Sequence, residues 1–136
     1  MRPLRLLLWW RGLEWSLWLL LASVLVAPGI PAPLQLAHSD KLAHAAGFAV
    51  LAAYAVLLRE RWRALRDSLL MLAAFGALLE GIQVLLPWRQ GDWVDLAANW
   101  GGILVGSLLA LSPWSDALVR LERRMLYISE RFKPWR

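Results

Sequence analysis

The chain has 136 residues, enough for one domain. Hydrophobic residues make up 60% of it and charged residues only 18%, which excludes an ordinary soluble domain of this size. The net charge of +5 does not mark a nucleic-acid binder, because the basic residues flank apolar segments and form no free-standing basic face; the absence of cysteine excludes disulfides and thiolate metal sites.

The chain opens with basic Met1–Arg5, an apolar run and then small residues, which mimics a secretory signal peptide. The run is long, Glu14 and several Trp interrupt it, and no small-x-small cleavage site follows, so a retained first helix is expected. It covers about Leu13–Ala27, with an extension toward Leu4, and an ion pair between Glu14 and Arg11 one turn away is expected. The segment Pro28–Ser39, with Pro28, Pro31 and Pro33 and no Lys or Arg, reads as an ordered loop. Three further apolar spans follow at about Lys41–Leu58, Ser68–Leu86 and Val94–Leu111. Each is near the ~17–20 residues that cross ~30 Å of hydrocarbon. The link Arg59–Asp67 carries four Arg, and Pro87–Gly91 is a tight turn. The tail repeats Trp114, Leu118, Leu121, Met125, Ile128 and Phe132 at helical spacing, with Arg and Glu on the other face. It is expected to lie on the cytoplasmic leaflet; a solvated or partner-binding helix is the alternative.

The expected fold is therefore all-α: a four-transmembrane-helix bundle over residues 1–113, followed by a cytoplasmic amphipathic helix over 114–136. Thirteen of the fifteen basic residues fall at one end of the spans, and only Lys41 and Arg89 at the other. The positive-inside rule places that basic end and both termini in the cytoplasm. Trp88 and Trp93 then mark the outer interface, and Trp9, Trp10, Trp62 and Trp114 the inner one.

The outer end gathers the polar residues. Asp40, Lys41 and His44 open the second span; Glu80 and Gln83 lie one to two turns before the third ends; Arg89 follows; Asp92, Asp95 and Asn99 open the fourth, with His38 just before the group. Spacings of i, i+3, i+4 and i+7 put each set on one helical stripe. Charged groups inside a membrane cost roughly 2.5–3.5 kcal/mol each on insertion scales, so stripes at one depth are expected to face each other across a pocket. By helical rise, Glu80 and Asn99 lie roughly 10 Å below the outer surface. A purely structural network would also hold helices together. Asp40 and Asp92 could each serve as a helix cap, and Gln83 and Asn99 as interhelical glue; Glu80 cannot be a cap. Gly47, Gly76, Gly81, Gly101, Gly102 and Gly106 are expected to let the backbones approach, the last two as a GxxxG.

The combination Asp40-Lys41-x-x-His44, Glu80-x-x-Gln83 and Arg89-x-x-Asp92-x-x-Asp95-x-x-x-Asn99, followed by Gly102 and Gly106, resembles the VanZ-like family, small bacterial membrane proteins named for a teicoplanin-resistance component. The resemblance spans about Ser39–Gly106. It departs where an aromatic usually follows the His, since Ala45 and Ala46 precede Gly47-Phe48, and where an aromatic often precedes the first Asp, since Gly91 stands there. The resemblance implies a membrane protein of the cell envelope, distantly similar to enzymes that exchange or cleave phospholipid head groups.

Three functions fit these residues. An enzyme at the outer leaflet would act on a phosphate-bearing lipid head group or a lipid-linked cell-envelope precursor. His44, Glu80, Asp92 and Asp95 would be its catalytic groups; Asp40, Lys41, Gln83, Arg89 and Asn99 would bind substrate, with either His44 or Glu80 as base. No cofactor is required, although an oxygen-rich site with one His suits Mg²⁺ or Mn²⁺ better than Zn²⁺. A non-catalytic binder of envelope lipids or a glycopeptide antibiotic would use the same groups. A small transporter or flippase would need dimerisation, since four helices are few and no inverted repeat is visible. The expected partners are membrane lipids, no nucleic acid, and a second copy of the chain if it dimerises.

Overall fold

The computed structural model describes residues 4–28, 39–89 and 92–131, the side chains of 129–131 excepted. His38 and most of the Pro-rich loop, including Pro31 and Pro33, lie outside the described residues, as do Gly91, Phe132, Lys133 and Arg136. The elements are α1 (Leu7–Val26), α2 (Ser39–Leu58), α3 (Trp62–Leu85), α4 (Trp93–Ser107), two short 3₁₀ turns (Leu108–Leu111 and Pro113–Asp116) and α5 (Ala117–Arg131).

Local chemistry sets the helix ends. Asp92 caps α4, its Oδ1 accepting the Val94 N–H at 2.9 Å. Asp40 is not a cap: α2 begins at Ser39, and Asp40 lies in its first turn, where a carboxylate suits the helix dipole. α3 stops at Leu86, which is extended (φ −91, ψ 128) because Pro87 disfavours a helical residue before it. Its start is the main difference from expectation. The helix begins at Trp62, six residues ahead of the apolar run, since Arg63, Ala64, Leu65 and Arg66 are good helix formers and Leu65 is buried.

Hydrogen bonds fix the helix directions. The last turn of α1 meets the end of α3 through a bond from Gln83 Nε2–H to the Leu25 carbonyl at 2.7 Å. The far end of α2 meets the start of α1, where Tyr54 donates to the Trp10 carbonyl at 3.0 Å. α1 and α3 thus run one way and α2 runs back. α2 and α4 are parallel and pack most closely. A Cβ on Gly102 would meet the Ala45 carbonyl, and one on Gly106 the Ala49 carbonyl, so only glycine allows this approach. A Cβ on Gly47 would meet only the flexible end of the Leu21 side chain, which can shift, and Gly76 sits against Phe48 and Asn99. Gly81 and Gly101 do not mediate contact, since a Cβ at either would meet nothing within 4 Å.

Phe48, Leu51, Ala52, Leu72, Leu79, Leu25 and Ile103 form the main core. Trp18, Phe75 and Phe48 stack in series at centroid distances of 4.7 and 6.1 Å. At the arginine-rich end, Glu14 pairs with Arg59 at 2.7 Å rather than with Arg11, because the end of α2 packs beside the first turns of α1. α5 folds back onto the same region. Leu118 is buried with Leu4 and Leu58, and Glu122 accepts from the backbone N–H groups of Arg5 (2.6 Å) and Leu6 (3.1 Å) and from Trp10 Nε1–H (2.7 Å).

Among the described residues, three stretches are long and apolar enough to cross a membrane: Ser39–Leu58, Trp62–Leu85 and Trp93–Leu111. Their outer faces expose large apolar side chains such as Leu42, Val50, Leu70, Leu78, Val84, Val94 and Leu104, a surface that water would not tolerate as one continuous belt. α1, the first of the four expected spans, has 20 residues and is not among these three; Arg11 and Glu14 fall within it.

Candidate functional site

The end of the bundle opposite the arginine-rich links holds two polar layers. In the outer layer Lys41, from the first turn of α2, reaches across to α4, its Nζ donating to Asp92 Oδ2 at 2.8 Å and to Asp95 Oδ1 at 3.0 Å. Arg89 donates from Nη1 to Asp40 Oδ1 at 2.8 Å. In the inner layer His44 is fully buried one turn below Asp40, its Nδ1 2.8 Å from Asn99 Oδ1 on α4 and 3.7 Å from Glu80 Oε1 on α3. The two layers join where Glu80 Oε2 accepts the Asp92 N–H at 3.2 Å. Asp95, Asn99 and Glu80 are buried, whereas Asp40 is exposed.

The Lys41 hydrogen bond first, and the Val94 N–H second, hold the Asp92 carboxyl below the usual carboxylate range, against a smaller upward push from burial. Among the described residues, three of the four buried side-chain atoms without a hydrogen-bond partner lie in the inner layer, His44 Nε2, Glu80 Oε1 and Asn99 Nδ2; the fourth, Arg59 Nη1, is in the ion pair with Glu14 at the opposite end. Such atoms are rare in folded proteins and mark places where a ligand, water or ion completes the bonding.

Beside this layer a cavity of about 340 Å³ lies between α3 and α4. Ala77, Val84, Trp93 and Leu96 give it apolar walls, Glu80 and Asp92 a polar one, and the side-chain-free Gly81 leaves it open. Its shape and lining suit an amphiphile with a chain along the walls and a polar end at Glu80.

Eight of the nine site residues expected within the described segments are thus gathered at one place: Lys41, His44, Glu80, Asp92, Asp95 and Asn99 are linked in one network, and the Asp40–Arg89 pair lies beside it. Gln83 is not among them: it turns to α1. A helix leaves its last carbonyls without partners. Here Arg89 Nη2–H donates to Val24 (3.4 Å), Gln83 to Leu25, Trp88 Nε1–H to Val26 (3.1 Å) and Arg89 Nε–H to Ala27 (3.1 Å). Gln83 and Trp88 therefore hold α1 to the rest, and Arg89 does so while also binding Asp40. The sequence reading did not find this role, because backbone acceptors carry no residue signal; Pro28 just beyond the helix was the available hint. It also missed Gly81 and Trp93 as cavity walls.

No family model, curated protein or solved structure matches the chain. The functional reading rests on the geometry of the site.

Proposed function

We propose that this chain is a VanZ-like protein of the bacterial cytoplasmic membrane that acts on a phosphate-bearing lipid head group or a lipid-linked envelope precursor. In this reading α1 also crosses, both termini are cytoplasmic, and the polar layers face the exterior. The clustering of thirteen basic residues at the opposite end supports that orientation.

The observation that carries the reading is the His44 ring. Nδ1–H donates to Asn99 Oδ1, which orients the ring and leaves the lone pair on Nε2, a buried atom with no partner. A histidine held this way is a general base looking for a proton. It takes one from a water or hydroxyl as that oxygen bonds to phosphorus. The P–O bond to the leaving alcohol breaks, and the same proton passes from the ring to the departing alkoxide. Glu80, 3.7 Å from Nδ1, stabilises the imidazolium in between. Asp92 and Asp95 position Lys41, and Asn99 is a positioning residue for His44. The cavity beside Glu80 takes the acyl portion, so the substrate enters from the bilayer.

The test is turnover of envelope phospholipids and lipid-linked precursors by purified protein. His44→Gln and Glu80→Gln abolish turnover and retain lipid binding if the site is catalytic. A second reading, a non-catalytic binder of envelope lipids or glycopeptide, is favoured by one observation: Lys41 and Arg89 are already bound to carboxylates, a closed arrangement that a ligand would have to open. A binder shows no turnover of any envelope lipid, and its affinity falls gradually across the same variants.

A further inference from the structure

We propose that Asp40, His44 and Asp95 form a divalent-cation site of the Mg²⁺ and Mn²⁺ class, on which a phosphate oxygen of the head group docks. The phosphate rests on the head-group reading above; the cation does not, and with the ion on the His44 ring the base of that reading is Glu80 in place of His44.

One ring nitrogen of His44 and one carboxylate oxygen each from Asp40 and Asp95 lie within 4.8 Å of one another. Ligand atoms stand roughly 2.0–2.6 Å from such ions, so three donors at these separations can share one ion with only side-chain adjustment. His44 and Asp95 are buried and supply the fixed wall, whereas Asp40 is open to solvent and leaves coordination positions for water and a phosphate oxygen. Two oxygen donors, a single imidazole and no cysteine suit Mn²⁺ or Mg²⁺ better than Zn²⁺.

A second observation points the same way from outside the triplet. Glu80, on α3, faces the His44 ring at 3.7 Å, and its buried Oε1 has no hydrogen-bond partner; neither has His44 Nε2. The charge balance agrees. Four carboxylates, Asp40, Asp92, Asp95 and Glu80, meet two fixed cations, Lys41 and Arg89, at the end of an apolar bundle. Two formal negative charges remain, the deficit one divalent ion neutralises. Lys41 Nζ bonds Asp92 Oδ2 as well as Asp95 Oδ1, so it keeps a partner when Asp95 takes up the ion.

The ion also removes a difficulty in phosphate binding. An acidic site repels phosphate, and the two cations the sequence offers for it are taken by carboxylates. A bound divalent ion gives the phosphate an electrophilic partner while Lys41 keeps Asp92 and Arg89 keeps Asp40.

The test uses the full chain in lipid nanodiscs and Mn²⁺ alone, followed by electron paramagnetic resonance. The expected result is one bound Mn²⁺ per protomer, with a ¹⁴N coupling that His44→Gln abolishes. Asp40→Asn and Asp95→Asn each weaken binding about tenfold or more, while Glu60→Gln at the opposite end changes nothing. Asp40 is exposed, so its variant separates lost ligation from lost folding. The proposal is overturned if the wild type binds no Mn²⁺ at millimolar concentration, as it would if His44 and Glu80 balance the charge by holding protons. It is overturned equally if binding survives Asp40→Asn and Asp95→Asn, or shows no nitrogen coupling. Stoichiometric Mn²⁺ with no lipid turnover supports the cation site and sinks only the head-group reading; chelator-resistant turnover with no bound Mn²⁺ does the reverse.

Discussion

The carbonyl oxygen of Ala45 occupies the space that a Cβ on Gly102 would fill. Ala49 and Gly106 repeat the relationship one turn along, so α2 and α4 touch backbone to backbone over two turns. Apolar burial does not drive association among lipid tails, and close packing of small residues takes its place. This contact sets the distance from His44, the residue just before Ala45, to Asn99, about one turn before Gly102.

Gly102→Ala and Gly106→Ala are therefore expected to force the helices apart and cost about 1–3 kcal/mol each, the usual range for overpacking. Gly101→Ala is the control: its Cβ meets nothing within 4 Å, and replacing a helical glycine there gains up to about 1 kcal/mol. Thermal unfolding in detergent reads the difference. Equal midpoints for Gly101→Ala and Gly102→Ala would show that the close approach is wrong.

Lys41 is the sole side-chain cation bound to Asp92 and Asp95 among the described contacts. Lys41→Met leaves both carboxylates without it, and unpaired carboxylates next to hydrocarbon are costly. The expected outcome is a less thermostable protein that Asp95→Asn in the same chain partly restores. Removing Lys41 also removes the main cause of the lowered Asp92 pKa. A group with a depressed folded-state pKa stabilises above its unfolded value of about 3.9 and loses that contribution as pH falls through the folded value. The wild type should accordingly lose stability on acidification, and Lys41→Met should lose less. A steeper acid loss in the variant would contradict the pairing.

At the opposite end Glu122 holds the start of α1. Burial pushes its carboxyl up, but the hydrogen bonds from Trp10, Arg5 and Leu6 together outweigh that and leave it below the usual range. The stabilisation is thus complete above about pH 4.3 and is lost as the pH falls through the lowered value. Glu122→Ala should cost about 1–3 kcal/mol at neutral pH, the range for bonds to a charged acceptor. The gap to wild type should close in acid. Proteolysis within the first turn of α1 should speed up in the variant; unchanged cleavage would mean that α5 is not docked there.

Much of this was legible before any coordinates. The apolar runs located α2, α3 and α4, because a membrane-length stretch of Leu, Ala and Val has few other uses. The polar stripes point to the polar cluster, because Lys41, His44, Asp95 and Asn99 recur at helical spacing inside those runs. What the pattern left open was partner choice. Glu14 has Arg11 one turn away yet binds Arg59, since tertiary proximity decides between two cations. Gln83 sits on the same stripe as Glu80 but bonds the Leu25 carbonyl, an acceptor no sequence displays. Gly81 and Gly102 look alike in the chain; only the neighbouring helix shows that one opens a cavity and the other closes a contact.

The proposed orientation rests on charge and can be tested without a substrate. The chain has no cysteine, so single cysteines report their own positions. Ser39 is exposed at the polar end, Arg63 at the arginine-rich end, and Arg11 near the start of α1. An impermeant maleimide applied to intact cells should modify Ser39→Cys at once, and Arg63→Cys and Arg11→Cys only after permeabilisation. Modification of Arg63→Cys but not Ser39→Cys would turn the protein over and place the polar layers in the cytoplasm. Modification of Ser39→Cys and Arg11→Cys together, with Arg63→Cys protected, would leave α2, α3 and α4 as the crossing helices and lay α1 outside. In that case the carbonyls of Val24 to Ala27 would still be bound by Arg89, Gln83 and Trp88, but the site would be roofed by a helix on the outer surface.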